Sequence, residues 1–141
     1  GVYKKELVEP LAKVLANLGV KRGIVVYGND GIDEVTVSST NTIAEINDGE
    51  ITTYTLDPQA FGFTPCKKSD LMGGDAKINA GITYDILSGK EQGAKRDAVV
   101  LNSGLSLYLG SIKECIELAR ITLDNGKALQ KLQQLIVLSN G

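Results

Sequence analysis

Val25-Val26-Tyr27-Gly28-Asn29-Asp30-Gly31-Ile32-Asp33-Glu34 reads as an apolar strand that runs into a glycine-punctuated turn and emerges on two adjacent carboxylates. Along a regular strand, neighbouring side chains point to opposite faces, so Asp33 and Glu34 could not share a ligand there. Past a turn that alternation is broken, and both acids can lean toward one point. Two carboxylates beside an open crevice suit magnesium, which takes hard oxygens, keeps several waters and shares its sites with substrate phosphates. The competing reading is a pair of solvated loop acids, because turns favour such residues.

The rest of the pattern is legible outward from this stretch. Before it, Leu7, Leu11, Val14, Leu15 and Leu18 recur at helical spacing and predict one apolar stripe from about Lys4 to Leu18. Pro10 fits near that helix's start, where its missing N–H costs little, and Gly19 suits the C-terminal cap. Gly23 to Tyr27 is a β-branched run bounded by glycine, the mark of a buried strand. After the acids, Val, Thr and Ile alternate as far as Leu56, predicting strands near 34–38, 41–46 and 50–55. Asp48-Gly49 between the last two is a strong hairpin signal. Asp57 to Asp70, with Pro58, Gly62 and Pro65, reads as an irregular connection with at most short helical turns.

Helices fill the remainder. Ile78, Ile82 and Ile86 follow Gly73-Gly74-Asp75, which places Asp75 near a helix N-terminus and Gly89 past its end. Ala98 to Leu109 could open as a strand at Val99-Val100-Leu101, but its length predicts a buried helix despite Gly104. Ser111 caps a helix with Ile112, Cys115, Ile116, Ala119 and Leu123 on one face, ended by Gly126. A last helix runs from about Lys127 to Leu138, with Leu129, Leu132, Leu135 and Ile136 expected inward. Helix, strands, then four helices is the order of an α/β or α+β layered domain.

Composition narrows the chemistry. With 141 residues, the chain has the size of one compact domain, and 43% hydrophobic with 23% charged residues is ordinary globular composition. A net charge of −2 gives no support for a nucleic-acid partner, which needs clustered Lys and Arg. Cys66 and Cys115 form no C-x-x-C or zinc pattern and are expected as reduced thiols. No signal peptide and no apolar run of membrane-spanning length is present, so a cytoplasmic location is the default expectation. The chain has no histidine, which removes the commonest general base, the commonest zinc ligand and every Ser-His or Cys-His pair. Any catalysis here must rest on carboxylates, a metal and positioning.

Other motifs read as structural. The first strand–turn lacks the glycine pattern of a dinucleotide site and the Lys of a P-loop. Gly73-Gly74-Asp75 could bind an anion through free N–H groups, but a tight turn with an Asp cap is the commoner reading. Lys21-Arg22, Lys67-Lys68 and Lys95-Arg96 read as solvated basic pairs. Tyr27 faces either the crevice or the core.

Taken together, several stretches resemble the C-terminal half of the anthranilate phosphoribosyltransferase family. They are Gly1-Val2-Tyr3, Glu6-Leu7-Val8-Glu9-Pro10-Leu11-Ala12, Leu18-Gly19-Val20-Lys21-Arg22 and the run from Val25 to Glu34. The likeness continues through Asp48-Gly49-Glu50-Ile51, Tyr54-Thr55-Leu56-Asp57-Pro58, Gly73-Gly74-Asp75-Ala76, Asn79-Ala80, Leu87-Ser88-Gly89-Lys90, Arg96-Asp97 and Leu101-Asn102. The resemblance implies transfer of phosphoribose from 5-phosphoribosyl 1-pyrophosphate to the amine of anthranilate, in tryptophan synthesis. It implies Mg2+ held at the pyrophosphate by the Asp-Glu pair, a role that falls on Asp33 and Glu34, and a full-length homodimer.

It further implies that residues 1–141 form a single α/β domain, the C-terminal part of a longer two-domain enzyme. The expected architecture is a layered domain with a mixed central sheet flanked by helices, lacking strands normally supplied by the upstream half. The family's glycine-rich pyrophosphate loop and its anthranilate-binding arginine lie upstream of the matching segment. No catalytic or substrate-binding residue is therefore assigned here, and the segment alone is expected to be inactive. Many family members have histidine where this chain has Tyr27. The remaining alternatives are the same fold acting on another acceptor, as in pyrimidine nucleoside phosphorylases, or a non-catalytic interaction module.

Overall fold

In the computed structural model, residues 1–107 and 111–140 are described, and they fall into two compact units, Gly1–Lys68 and Ser69–Gly141. No described helix is long and apolar enough to cross a membrane. The α/β class expected from the sequence holds: among the described residues one α-helix, three strands and then four α-helices follow in chain order.

In the first unit a 3-10 turn at Lys5–Leu7 leads into α1 (Val8–Asn17), with Pro10 in its first turn. The helix ends as expected: Gly19 N–H reaches the Ala16 carbonyl and Val20 N–H the Leu15 carbonyl, which satisfies carbonyls left open by the last turn. Its apolar residues are divided between two environments. Val8 and Ala12 are fully buried, and Leu7, Leu15 and Ala16 pack against the same cluster with Val2, Val25, Ala44 and Ile46. Leu11, Val14 and Leu18 were expected on the same inward stripe but are exposed at 40%, 49% and 77%. The apolar arc of α1 is wider than the sheet beneath it, so one edge of the arc remains in solvent.

The strands are β1 (Arg22–Gly28), β2 (Asn41–Asn47) and β3 (Glu50–Leu56), in the order β1-β2-β3. Both pairs are antiparallel, so the mixed sheet expected above is antiparallel throughout the described residues. The β2–β3 link shows why: Asp48-Gly49, with φ of 48° and 90°, makes a two-residue hairpin in which Asn47 faces Glu50. Both central residues at positive φ are what the right-handed twist of a hairpin requires. β2 is central, and Asn41 through Ala44 and Ile46 are all buried.

The strand expected near 34–38 does not form. Val35-Thr36-Val37 has strand composition and is buried, but it belongs to none of the described strands. The amide of Asn41 replaces a neighbouring strand: Thr36 N–H donates to Asn41 Oδ1 at 2.7 Å, and Asn41 Nδ2 donates to the Thr36 carbonyl at 3.0 Å. The hydroxyls of Thr36 and Ser38 donate to Asp30 Oδ2. Side chains that satisfy the backbone locally compete with a ladder, and here they prevail.

The second unit is helical. α2 (Ala76–Leu87) is capped by Asp75, whose carboxylate accepts the Ile78 N–H at 2.9 Å. Asn79 also braces Gly74, accepting its N–H and donating to its carbonyl. This turn is an Asp-capped helix start with its Gly74 N–H already in use. α3 (Ala94–Ser106) confirms the helical reading of the Val99-Val100-Leu101 region, and the expected end at 108–109 lies outside the described residues. α4 (Ile112–Asp124) is capped by Ser111 and buries Cys115, Ile116, Ala119 and Leu123, as its periodicity predicts. α5 (Lys127–Asn140) departs from expectation. Leu129 and Leu132 are half-buried, but Leu135 and Ile136 are 62% and 49% exposed, along with Val137 and Leu138. The helix contacts α4 and α2, and its residues from Gln133 onward are exposed.

Gly104, a weak residue for a helix, stands where α3 crosses α4: a Cβ there would lie 2.8 Å from Ile116 Cα and 3.0 Å from its N. Gly104→Ala gains about 1 kcal/mol of helix propensity. It also collides with backbone that cannot rotate aside, and overpacking typically costs about 1–3 kcal/mol. The collision wins. Urea unfolding of this variant is expected to show a net loss of up to about 2 kcal/mol, and a gain would mean the helices can part freely.

Arg96, 7% exposed, joins the start of α3 to the end of α4 through Asp124 Oδ1 at 2.6 Å. Beside it, burial raises the Asp97 carboxyl above its ordinary 3.8, outweighing the opposing influence of Arg120 and Arg96. The folded state therefore keeps this proton when the unfolded chain has released it. The stabilisation is full below the unfolded value and is lost as pH rises through the folded one. Asp97→Asn removes that loss. The variant's stability relative to wild type should climb as pH increases from about 4 and then level off. A pH-independent difference in paired urea titrations would refute this.

Candidate metal centre

β1 delivers the chain to the site and a five-residue turn reverses it. Gly28 N–H donates to the Ile32 carbonyl at 2.8 Å, and Gly31 N–H donates to the Gly28 carbonyl at 2.8 Å. Gly31 sits at φ +88°, a conformation that side-chain-bearing residues rarely adopt, so the turn needs glycine there. Asp33 and Glu34 follow immediately, and both are exposed. Neither belongs to a strand, although Glu34 was expected to open one and Ile32 bridges back to Gly28.

Three sets of contacts fix the segment that carries the two acids. Asp30 reaches across them to Thr36 and Ser38, and Asn41 grips Thr36 from the sheet side. On the other flank, Val2 N–H donates to the Val26 carbonyl at 3.0 Å, which lays Gly1 against the Asp33 backbone. Beside β1's end, Thr42 donates to Asn29 Oδ1 at 2.9 Å and Asn29 Nδ2 donates to Thr40 Oγ1 at 2.9 Å. The second Asp30 oxygen, Oδ1, is enclosed and accepts no hydrogen bond among the described residues.

As a donor set the turn offers two hard carboxylates and nothing soft. Among the described residues no group of three or more His, Cys, Asp or Glu side chains forms a metal cage. The pair fits magnesium in its usual protein role, which leaves most positions to water and phosphate oxygens.

Tyr27 resolves toward the core. Its half-buried ring packs against the cluster formed by Val2, Val8, Ala12, Val25, Ala44 and Ile46. Tyr27 also lines an open pocket of about 470 Å³ with Lys4, Lys5, Glu6 and Leu7; Asp33 and Glu34 are not among its lining residues. Two participants escaped sequence reading. Asp30 had a signal, a turn-favoured Asp-Gly followed by Thr36 and Ser38. Lys68 had none: it was expected to be solvated, yet its ammonium donates to the Asp30 carbonyl at 2.8 Å from 38 positions away.

Comparison with known proteins establishes the family and the fold. Residues 1–129 match the family model described as "Glycosyl transferase family, a/b domain". The anthranilate phosphoribosyltransferase of Ruminiclostridium cellulolyticum is 49% identical over 144 residues, covering 99% of this chain and 42% of that protein. The crystal structure of the Thermus thermophilus anthranilate phosphoribosyltransferase superposes with a TM-score of 0.90 at 33% identity, over 100% of this chain and 42% of that one. The Saccharomyces cerevisiae anthranilate phosphoribosyltransferase in complex with PRPP and Mg gives 0.83 at 30% identity, over 94% of this chain and 40% of that one. The chain thus spans about two-fifths of the length of the relatives it matches. With nearly its whole length matched in sequence and in fold, the chain belongs to the glycosyl transferase family, as an α/β domain.

Proposed function

We propose that this chain serves as the C-terminal α/β part of an anthranilate phosphoribosyltransferase. That enzyme moves phosphoribose from 5-phosphoribosyl 1-pyrophosphate to anthranilate, in the cytoplasmic synthesis of tryptophan and as a homodimer. The observation that carries the proposal is the rigid, exposed Asp33-Glu34 turn within a fold shared with a relative solved with PRPP and Mg.

In this reading Asp33 and Glu34 present their carboxylates to one magnesium ion at the pyrophosphate. When bound, the ion offsets negative charge on the departing group. The turn holds the two donors in place before substrate arrives, and this preorganisation is its contribution. With no histidine in the chain, no general base of that kind comes from here. Anthranilate's amine is weakly basic and needs none to act as nucleophile. Acceptor recognition falls to parts of the relatives outside the matched two-fifths, so the chain alone is expected to be silent.

Loss of anthranilate fluorescence with phosphoribosyl pyrophosphate and Mg2+ tests this. The chain should be inactive alone and active when completed with the N-terminal part of the R. cellulolyticum relative. In that completed enzyme, Asp33→Asn and Glu34→Gln should each lower kcat/KM by roughly a hundredfold, since metal stabilisation is worth several kcal/mol. Turnover by the chain alone would place the substrate site here instead. An inactive completed enzyme that turns over a nucleoside would change the acceptor.

A further inference from the structure

The acidic turn is held at its two most vulnerable atoms, and one of the holding groups comes from far away. Gly31 leaves its flanking peptide planes free to rotate, because no Cβ restricts φ at that residue. The peptide between Asp30 and Gly31 is the one whose flip would redirect everything that follows, including Asp33 two residues on. Its N–H end is fixed by the Gly28 carbonyl at 2.8 Å. Its carbonyl end is fixed by Lys68 Nζ, also at 2.8 Å. The Asp30 side chain, meanwhile, is tied to Thr36 and Ser38 on the far side of the two acids.

We propose that Lys68 is a positioning residue for the metal site: its ammonium locks the Asp30–Gly31 peptide and so fixes the direction in which Asp33 and Glu34 present their carboxylates. This deepens the proposed function and rests on the reading of Asp33 and Glu34 as metal ligands. Lys68 donates to the Asp30 carbonyl. It acts through the turn.

Electrostatics alone makes the opposite forecast, which is what renders the proposal testable. A lysine held on the acidic turn repels an incoming cation, so removing it should strengthen metal binding by simple Coulomb reasoning. If Lys68 orients the ligands, removing it should weaken binding. Lys68 is exposed, so its replacement does not threaten the core.

The experiment is a titration of the 141-residue chain with Mn2+ alone, following paramagnetic broadening of backbone amide resonances. In wild type the amides of Asp33 and Glu34 should broaden first. Lys68→Met should need roughly three- to tenfold more Mn2+ for equal broadening, somewhat below the usual cost of losing an outer-shell partner because the lysine is exposed. Lys68→Arg, which can still donate to the carbonyl, should stay within about twofold of wild type. Lys21→Met, a charge loss just before β1 at the end opposite the turn, should leave the titration unchanged. Unchanged or tighter Mn2+ binding by Lys68→Met would overturn the positioning role and leave the metal reading standing. Absence of broadening at Asp33 and Glu34 in wild type would overturn the metal reading, and this inference with it.

Discussion

Asp30 accepts hydrogen bonds from the hydroxyls of Thr36 and Ser38, and the arrangement of the acidic segment follows from that pair of contacts. Without them Val35-Thr36-Val37 has the composition to extend as a strand, and a strand would send Asp33 and Glu34 to opposite faces. With them the chain is drawn inward at residue 36, where Asn41 satisfies both polar groups of the Thr36 backbone. Thr36 and Asn41 are 1% and 0% exposed, so these bonds form where water does not compete. Leaving either group unpaired there would cost about 1–3 kcal/mol. The polar interior of the turn is thus a structural necessity, and the exposed acids are its consequence.

That division explains what could be read from the sequence. β1, the Asp48-Gly49 hairpin and the capped helices α2 and α4 depend on local rules, which the residues state directly. The turn before Asp33 and Glu34 was legible for the same reason: glycines punctuate the end of β1. The missing strand at 34–38 was not legible, because β-branched composition reports what a segment tolerates and not what competes for its backbone. Lys68 was not legible either. A single lysine in an irregular stretch has no spacing that points to a carbonyl 38 residues away.

The helices show a second kind of limit. Periodicity identifies which residues are apolar on a helix, but burial needs a facing surface. On α4 the predicted face and the buried face coincide, because α3 lies against it with Gly104 at the closest approach. On α1 the pattern is wider than the surface that meets it, and Leu18 remains 77% exposed. On α5, Leu138 reaches 81% exposed at the end of an unmistakably apolar run. The inward placement expected of Leu18, Leu135 and Ile136 fails, and the difference from α4 lies in what packs against each helix.

The incompleteness of the donor set is itself informative about mechanism. A site meant to hold a cation permanently encloses it, and two exposed carboxylates cannot do so. A cation held by two protein oxygens keeps its remaining positions for water and for phosphate, so occupancy depends on the substrate arriving with it. Under that scheme the protein's task is geometric: the ligands must already point correctly, because the ion is too weakly held to organise them. Rigidity of the turn then matters more than the number of acids in it. Asp30, Asn41 and Lys68 each hydrogen-bond to the segment around the two acids.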